Sequence, residues 1–167
     1  MRVLAIDPAI RNTGYAVLEG DSHSQKPLDF GVISIPSKIP QSGALAAIHT
    51  GIANLIKKWE PDECAVEGII YVQSHKTAIT MGAARAASLI AAAETGVNIF
   101  EYAPRKVKQV VTGNGSADKQ QVAFMIRTLL GLQETPPHDA ADALAIGIAH
   151  LTAGDPLKAS ILKRQQI

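Results

Sequence analysis

Residues 136–150 read PPHDAADALAIGIAH. After two prolines come Ala, Leu and Ile, the material of a helix buried in a core. Yet Asp139 and Asp142 stand three positions apart near its start and so project from one side. Taken alone, the two acids have a structural explanation. A carboxylate in the first helical turn can cap free N–H groups and is favoured by the positive end of the helix dipole. The other explanation is that the helix delivers them to a site. Which one holds depends on what else the chain brings to the same place.

The rest of the sequence supplies a sheet for that helix to cover. Residues 3–6 form a short apolar run stopped by Asp7-Pro8, the pattern of a buried strand that proline would interrupt. Residues 13–18 and 28–35 read as two more strands, separated by a polar loop around residues 21–24. Leu45, Ile48, Ile52, Leu55 and Ile56 recur at helical spacing over residues 42–59, and Pro61 ends that helix. Residues 64–67 give a buried strand, 74–94 an Ala-rich helix stopped at Gly96, and 97–101 a fifth strand. Three helical stretches follow: one after Pro104, one after Ser116, and the helix quoted above. Three leading strands and then strands alternating with helices predict an α/β fold: a mixed five-stranded sheet with helices on both faces. The expected division is one domain over residues 1–154 and a basic, flexible tail over 155–167.

Composition narrows the function classes. The 167 residues are 47% hydrophobic and 19% charged, as in an ordinary globular protein, and a net charge of +1 does not announce a nucleic-acid binder. Cys64 is the single cysteine, which excludes an internal disulfide and suits a reducing, cytoplasmic setting. No apolar stretch is long enough to span a bilayer, so a membrane partner is not expected.

Four acids give the chain its chemistry. Asp7 and Glu67 each terminate an apolar strand, and parallel strands release their C-terminal ends at one sheet edge, where ligand sites of α/β sheets gather. Asp7 can also be a turn residue before proline and Glu67 a solvated strand end. If the late helix packs across that edge, however, Asp7, Glu67, Asp139 and Asp142 converge. Four carboxylates would repel one another and raise each other's pKa unless a divalent cation screened them. Hard oxygen ligands favour Mg²⁺ or Mn²⁺ over zinc, and a paired-metal carboxylate site suits phosphodiester hydrolysis. Arg105, Lys106, Lys108, Lys119 and Arg127 crowd a segment whose only acids are Glu101 and Asp118, a local excess that fits phosphate contacts, although lysines are ordinarily solvated surface. Gly113-Asn114-Gly115-Ser116 precedes a helix, so backbone N–H groups there can receive a phosphate; Ser116 as a plain N-cap is the competing reading.

These residues resemble the RuvC family of Holliday-junction resolvases, from Arg2 to about His150. Ile6-Asp7-Pro8 with Thr13-Gly14 resembles the family's first-strand motif, and Val66-Glu67 its second acidic position. Tyr102-Ala103-Pro104, Val107-Lys108 and GNGSADKQQV at residues 113–122 resemble its most distinctive segment, and HDAADALAI at 138–146 its last. The resemblance implies a ribonuclease-H-like fold with Asp7, Glu67, Asp139 and Asp142 as catalytic acids holding two Mg²⁺ per subunit, with Mn²⁺ able to substitute. It places Lys108 and Lys119 near the scissile strand, where Lys119 is expected to act on the developing phosphorane charge and Lys108 to hold DNA, with Arg105, Gly113 and Gly115 also at the DNA. It further implies a homodimer that nicks a four-way DNA junction symmetrically, leaving 5′-phosphate and 3′-hydroxyl ends, partnered by branch-migration proteins of the RuvA and RuvB type. A helix rich in small residues, such as Gly82, Ala86 and Ala93, suits either close packing on the sheet or a partner subunit.

The chain departs from the family at two places. Ala9-Ile10 stands where the family has Gly and then Ser or Thr, which puts the geometry of the first loop in question. Ile70-Tyr71 fills the region of a wedging phenylalanine, and Tyr71 can either stack on an unstacked base or face the core. His138 is read as a helix-start residue or a helper beside the acids, His150 as structural, and Arg85 as solvated or paired across an interface. The rival functions are a ribonuclease-H-like nuclease acting on structured RNA and a catalytically weak junction-binding protein. An actin-like phosphotransferase can also begin with an acid at a first strand, but its glycine-rich phosphate loops are not evident.

Overall fold

The computed structural model describes residues 1–69, 74–155 and 162–167. Its elements run β1 (Arg2–Asp7), β2 (Asn12–Gly20), β3 (Gln25–Ser34), α1 (Gln41–Trp59), β4 (Glu63–Glu67), α2 (His75–Ala93), β5 (Asn98–Tyr102), α3 (Pro104–Thr112), α4 (Lys119–Leu129), α5 (His138–Thr152) and β6 (Gln165–Gln166). The strands form one mixed sheet in the order β3-β2-β1-β4-β5-β6. β1, β4 and β5 are mutually parallel, whereas β2, β3 and β6 run antiparallel to their neighbours.

β1 lies between two strands and is covered on both sides, which is why its apolar residues run without a break: Val3, Leu4, Ala5 and Ile6 are all buried. Alternation along the strands divides the core in two. Leu4, Ile6, Val17 and Val66 face α1 and α2, with Ile48, Ile52 and Ile56 of α1 as the facing stripe. Val3, Ala5, Ala16 and Leu18 face α3, α4 and α5. Helices therefore cover both faces, as the pattern predicts. β3 tolerates Pro27 because it is an outer strand and its register slips between Val17 and Leu18, the bulge that accommodates a missing ladder donor. α1 stops on Glu60, whose φ of 45° puts it in the left-handed region just before Pro61.

The sheet has six strands where the sequence predicts five. The sixth is two glutamines long, too short and too polar to show a period, and side-chain anchors hold it in place. Leu162 is buried, and Arg164 pairs with Glu63 and lies 4.3 Å from the centre of the Phe100 ring. His150 completes the anchor from α5. Its ring lies 2.9 Å from the Tyr102 hydroxyl through Nδ1 and 2.7 Å from Glu63 through Nε2. Burial holds its pKa below the ordinary value against the opposing hydrogen bond with Glu63. This is the structural role expected of His150.

Candidate active site

Asp7 and Glu67 are neighbours because of register. Ile6 pairs with Val66 in the parallel β1–β4 ladder, so the two acids leave adjacent strand ends at one sheet edge. Each shares the parity of residues that face α5, Ala5 on β1 and Ala65 on β4. The start of α5 reaches this edge over Gly14, the β2 partner of Asp7. A Cβ on Gly14 would lie 2.0 Å from the Asp139 carbonyl oxygen, so only a glycine lets the helix settle there. The Thr13-Gly14 pair is thus the device that brings the late acids to the early ones.

Asp139 and Asp142 do not cap α5. Its N-cap position is Pro137, with no side-chain cap hydrogen bond. A proline side chain has no acceptor with which to cap, and Asp139 stays in the first turn, where the helix dipole favours its charge. The acids also act on one another. Burial pushes the Asp7 carboxyl up to about 7, and Asp142 and Asp139 push it the same way against Lys119. Burial, then Asp7 and Asp142, pushes Glu67 up to about 8 against Lys108 and Lys119. Asp142 is also raised, chiefly by burial, with Lys119 opposing. The Lys119 ammonium, disfavoured by partial burial, is nonetheless raised by Asp142, Asp139 and Asp7 together, and its Nζ stands 3.4 Å from Asp142 Oδ2. The cleft beside Asp7 and Glu67 is walled by Pro8, Gly68, Met81 and Arg85.

The lysines arrive on short elements. Lys119 opens α4, held by a reciprocal capping box in which Asp118 accepts from Gln121 N–H at 2.8 Å and Gln121 accepts from Asp118 N–H at 3.0 Å. Asp118, not Ser116, is therefore the cap. Lys108 donates to the Ala117 carbonyl at 2.8 Å, fastening α3 to the loop before α4 while its charge bears on Glu67. The row of free N–H groups expected around Gly113 and Gly115 is not what this loop presents. The N–H groups of Gly113, Asn114, Ser116 and Ala117 bond to Gln109, Thr112 and Asn114 within the segment. Gly113, with φ 76°, ends α3, and Gly115 lies so close under the Arg105 carbonyl that a Cβ there would be 2.9 Å from it. Short-range turn chemistry uses the donors that sequence spacing makes look available.

Ala9-Ile10 causes no strain. Thr13, fully buried, donates its hydroxyl to the Ala9 carbonyl at 2.7 Å and accepts from Ala9 N–H at 3.3 Å. Among the described residues Glu60 is the only non-glycine in the left-handed region, so neither residue of the loop needs glycine's freedom. Arg105 and His138 are exposed. Tyr71 lies outside the described residues. Arg85, mostly buried, forms an ion pair with Glu101 on β5 of the same chain. Sequence reading assigned Glu101 no role; the signal was a lone arginine in a helix of small residues.

The donors at the edge fit a hard divalent cation, since Asp7, Glu67, Asp139 and Asp142 offer only carboxylate oxygens and their repulsion is what such an ion relieves. Among the described residues no three carboxylate, imidazole or thiol groups are already closed into a ligand cage, and Lys119 stands against Asp142. A six-stranded mixed sheet clothed on both faces, with acids at its central strand ends, is a ribonuclease-H-like architecture bearing a carboxylate site. Within that class the chain belongs to the RuvC family: the description "Crossover junction endodeoxyribonuclease RuvC" matches residues 3–150. A protein of that name from Akkermansia muciniphila is 64% identical over 167 residues, all of both chains. One from Halothermothrix orenii is 43% identical over 151 residues, covering 90% of this chain and 92% of its own. The solved structure described as "T. thermophilus RuvC in complex with Holliday junction substrate" superposes with a TM-score of 0.86 at 33% identity, covering 99% of each chain.

Proposed function

We propose that the protein is a crossover junction endodeoxyribonuclease, which resolves four-way DNA junctions in recombination and repair by symmetric nicking. The observation that carries the reading is the pairing of Asp7 and Glu67 on adjacent parallel strand ends, with Asp142 and Lys119 brought against them from α5 and α4. Asp7, Glu67, Asp139 and Asp142 would hold two Mg²⁺ ions, or Mn²⁺ in their place. When bound, the ions supply Lewis-acid stabilisation of charge at the scissile phosphate and lower the pKa of water. The protein's own contribution is placement. The strand ends leave the acids half-buried, so charge interactions there are stronger than at an open surface. Lys119 neutralises Asp142 before substrate enters and, at 62% exposed, is free to turn to a phosphate whose negative charge grows during reaction. Lys108 locks the α3–α4 loop, and with Arg105 on the exposed start of α3 it gives the DNA backbone a basic margin. Gly113, whose N–H is bonded to Gln109, and Gly115, tucked under the Arg105 carbonyl, would shape that margin. The products would carry 5′-phosphate and 3′-hydroxyl ends.

Two nicks in strands of like polarity call for two sites, which a homodimer supplies. α2 leaves Ile79 70% and Ile90 52% exposed, eleven residues apart and so on one side of the helix, an apolar face that suits a second copy of the chain. Branch-migration proteins of the RuvA and RuvB type and a cytoplasmic setting complete the reading. No helix among the described residues is long and apolar enough to cross a membrane. The test is incubation with a synthetic four-way junction and Mg²⁺, mapping both nicks, alongside Asp7→Asn and Glu67→Gln. Each variant is expected to bind the junction and leave it uncut; cleavage by either at the unaltered rate would remove the acids from the mechanism.

A further inference from the structure

Arg85 sits in α2, 20% exposed at its side chain, in a helix of mostly small and apolar residues after His75 and Lys76 at its start. Its guanidinium donates to Glu101 Oε2 on β5, while its Nε is buried with no hydrogen-bond partner. Such a group is costly to bury, so its retention there asks for a reason beyond packing. Glu101 shows what the pair presses on. It is the β5 partner of Val66, and it shares its side of the sheet with Ile99, facing α2. Its Cγ, Cδ and Oε1 lie 3.1 Å from where a Cβ on Gly68 would be. The Glu101 side chain therefore occupies the space a side chain at position 68 would fill, directly after Glu67. Gly68 is also tied through its N–H, which donates to the Tyr102 carbonyl at 2.9 Å. Arg85 and Gly68 line the same cleft as Asp7 and Glu67.

We infer that Arg85 and Glu101 are positioning residues: their ion pair, lodged against Gly68, fixes the chain where it leaves β4 and thereby aims the Glu67 carboxylate into the acidic cleft. The role needs no contact between the pair and either substrate or ion. Arg85 holds Glu101, Glu101 fills the space at Gly68, and Gly68 sets the direction in which Glu67 leaves its strand. A carboxylate at a strand end, with no helix of its own behind it, needs such a support, because misplacement of a ligand by a fraction of an ångström weakens its grip on a cation. The inference rests on the reading of Glu67 as part of the nuclease centre.

Arg85→Met removes the guanidinium at similar bulk, and Glu101→Gln keeps the shape of its partner without the charge. Both are expected to bind a four-way junction in Ca²⁺ as the parent does. Their single-turnover cleavage in Mg²⁺ should fall roughly ten- to a hundredfold, with a similar loss of Mn²⁺ affinity by calorimetry on the DNA-free protein. The exchanged pair Arg85→Glu with Glu101→Arg should recover part of both, and Gly68 N–H should exchange faster in the single variants than in the exchanged pair. Unaltered cleavage and Mn²⁺ affinity in both single variants would overturn the inference. So would a loss that follows thermal stability alone and is not recovered by the exchanged pair. Glu67→Gln in parallel separates the two claims: if it cuts normally, the reading of the site fails. If it is inactive while Arg85→Met and Glu101→Gln are not, only the positioning role fails.

Discussion

Asp7 and Glu67 carry opposite obligations to folding and to function, and that conflict can be measured. Their carboxyls, ordinarily at 3.8 and 4.5, stand at about 7 and 8 in the folded protein, chiefly through burial and then through one another and Asp142. Both therefore hold protons more tightly folded than unfolded. Their contribution to stability is complete below the ordinary values and is lost as pH rises through about 7 and 8. Without divalent ions, Asp7→Asn should therefore stabilise the protein at pH 8.5, by on the order of 1–3 kcal/mol, and much less at pH 5. Urea denaturation at the two pH values checks this, and equal midpoints for parent and variant at pH 8.5 would mean that the acids do not burden the fold. Adding Mg²⁺ should raise the parent's stability at pH 8.5 and leave the variant's nearly unchanged. Lys119 belongs at the same scale. At 3.4 Å from Asp142 it offsets charge before substrate arrives, so Lys119→Ala should cut single-turnover rate by about a hundredfold or more while moving junction affinity only a few-fold. Quench-flow rates beside binding isotherms test that split. Asp7 and Glu67 stand out because each ends an apolar run, and Asp139 and Asp142 because they stand three apart at the start of a core helix. Arg85 and Glu101 do not, because their partnership crosses from helix to strand and no spacing along the chain encodes it.

Single contacts set the elements in place. The strands and helices could be read from periodicity because their burial is periodic: the α1 stripe of Ala44, Ile48, Ile52 and Ile56 and the unbroken run in β1 leave little choice. What periodicity does not carry is how one element meets another. The start of α5 rests on Gly14 at a separation no side chain permits, and this contact turns a buried helix into one that delivers acids. Gly14→Ala should lift that end of α5 off β2, cost roughly 1–3 kcal/mol through the forced displacement, and abolish cleavage even where the fold persists. Thermal melts paired with the junction assay decide it, and an active Gly14→Ala protein would mean that α5 need not lie so close. The same limit explains the caps. Ser116 looked like the start of α4, but the reciprocal bonds of Asp118 and Gln121 win because they satisfy two backbone donors together rather than one. β6 escaped for a related reason: Gln165–Gln166 has no pattern of its own, and Arg164 pairing with Glu63 beside His150 holds the segment to the sheet.

Over the whole molecule, charge and apolar surface divide the labour. A net charge of +1 leaves no general attraction for DNA, so phosphate contacts rest on the local group of Arg105, Lys106, Lys108 and Lys119. Apolar side chains are exposed on α4, at Phe124 and Leu129, and on α2, where Ile79 and Ile90 are more than half exposed and Ile167 lies near Ile90 beside Leu89 and Ala93. In a lone chain the α2 side chains meet water; in the proposed twofold dimer they would meet each other and set two acidic clefts in one particle. Ile90→Glu puts a charge at that face. A carboxylate left unpaired in an interface should raise the dimer dissociation constant by roughly a hundredfold or more, since its desolvation is no longer compensated. The acids at the sheet edge are untouched by the change, so the variant should still nick a junction while losing the coincidence of the two nicks. Sedimentation over a concentration series gives the first quantity. A junction held in a small supercoiled circle gives the second: the parent should yield mostly linear product, cut on both sides within one encounter, and Ile90→Glu mostly nicked circles. An Ile90→Glu protein that sediments as the parent does and gives linear product in the same yield would place the contact between subunits on another face.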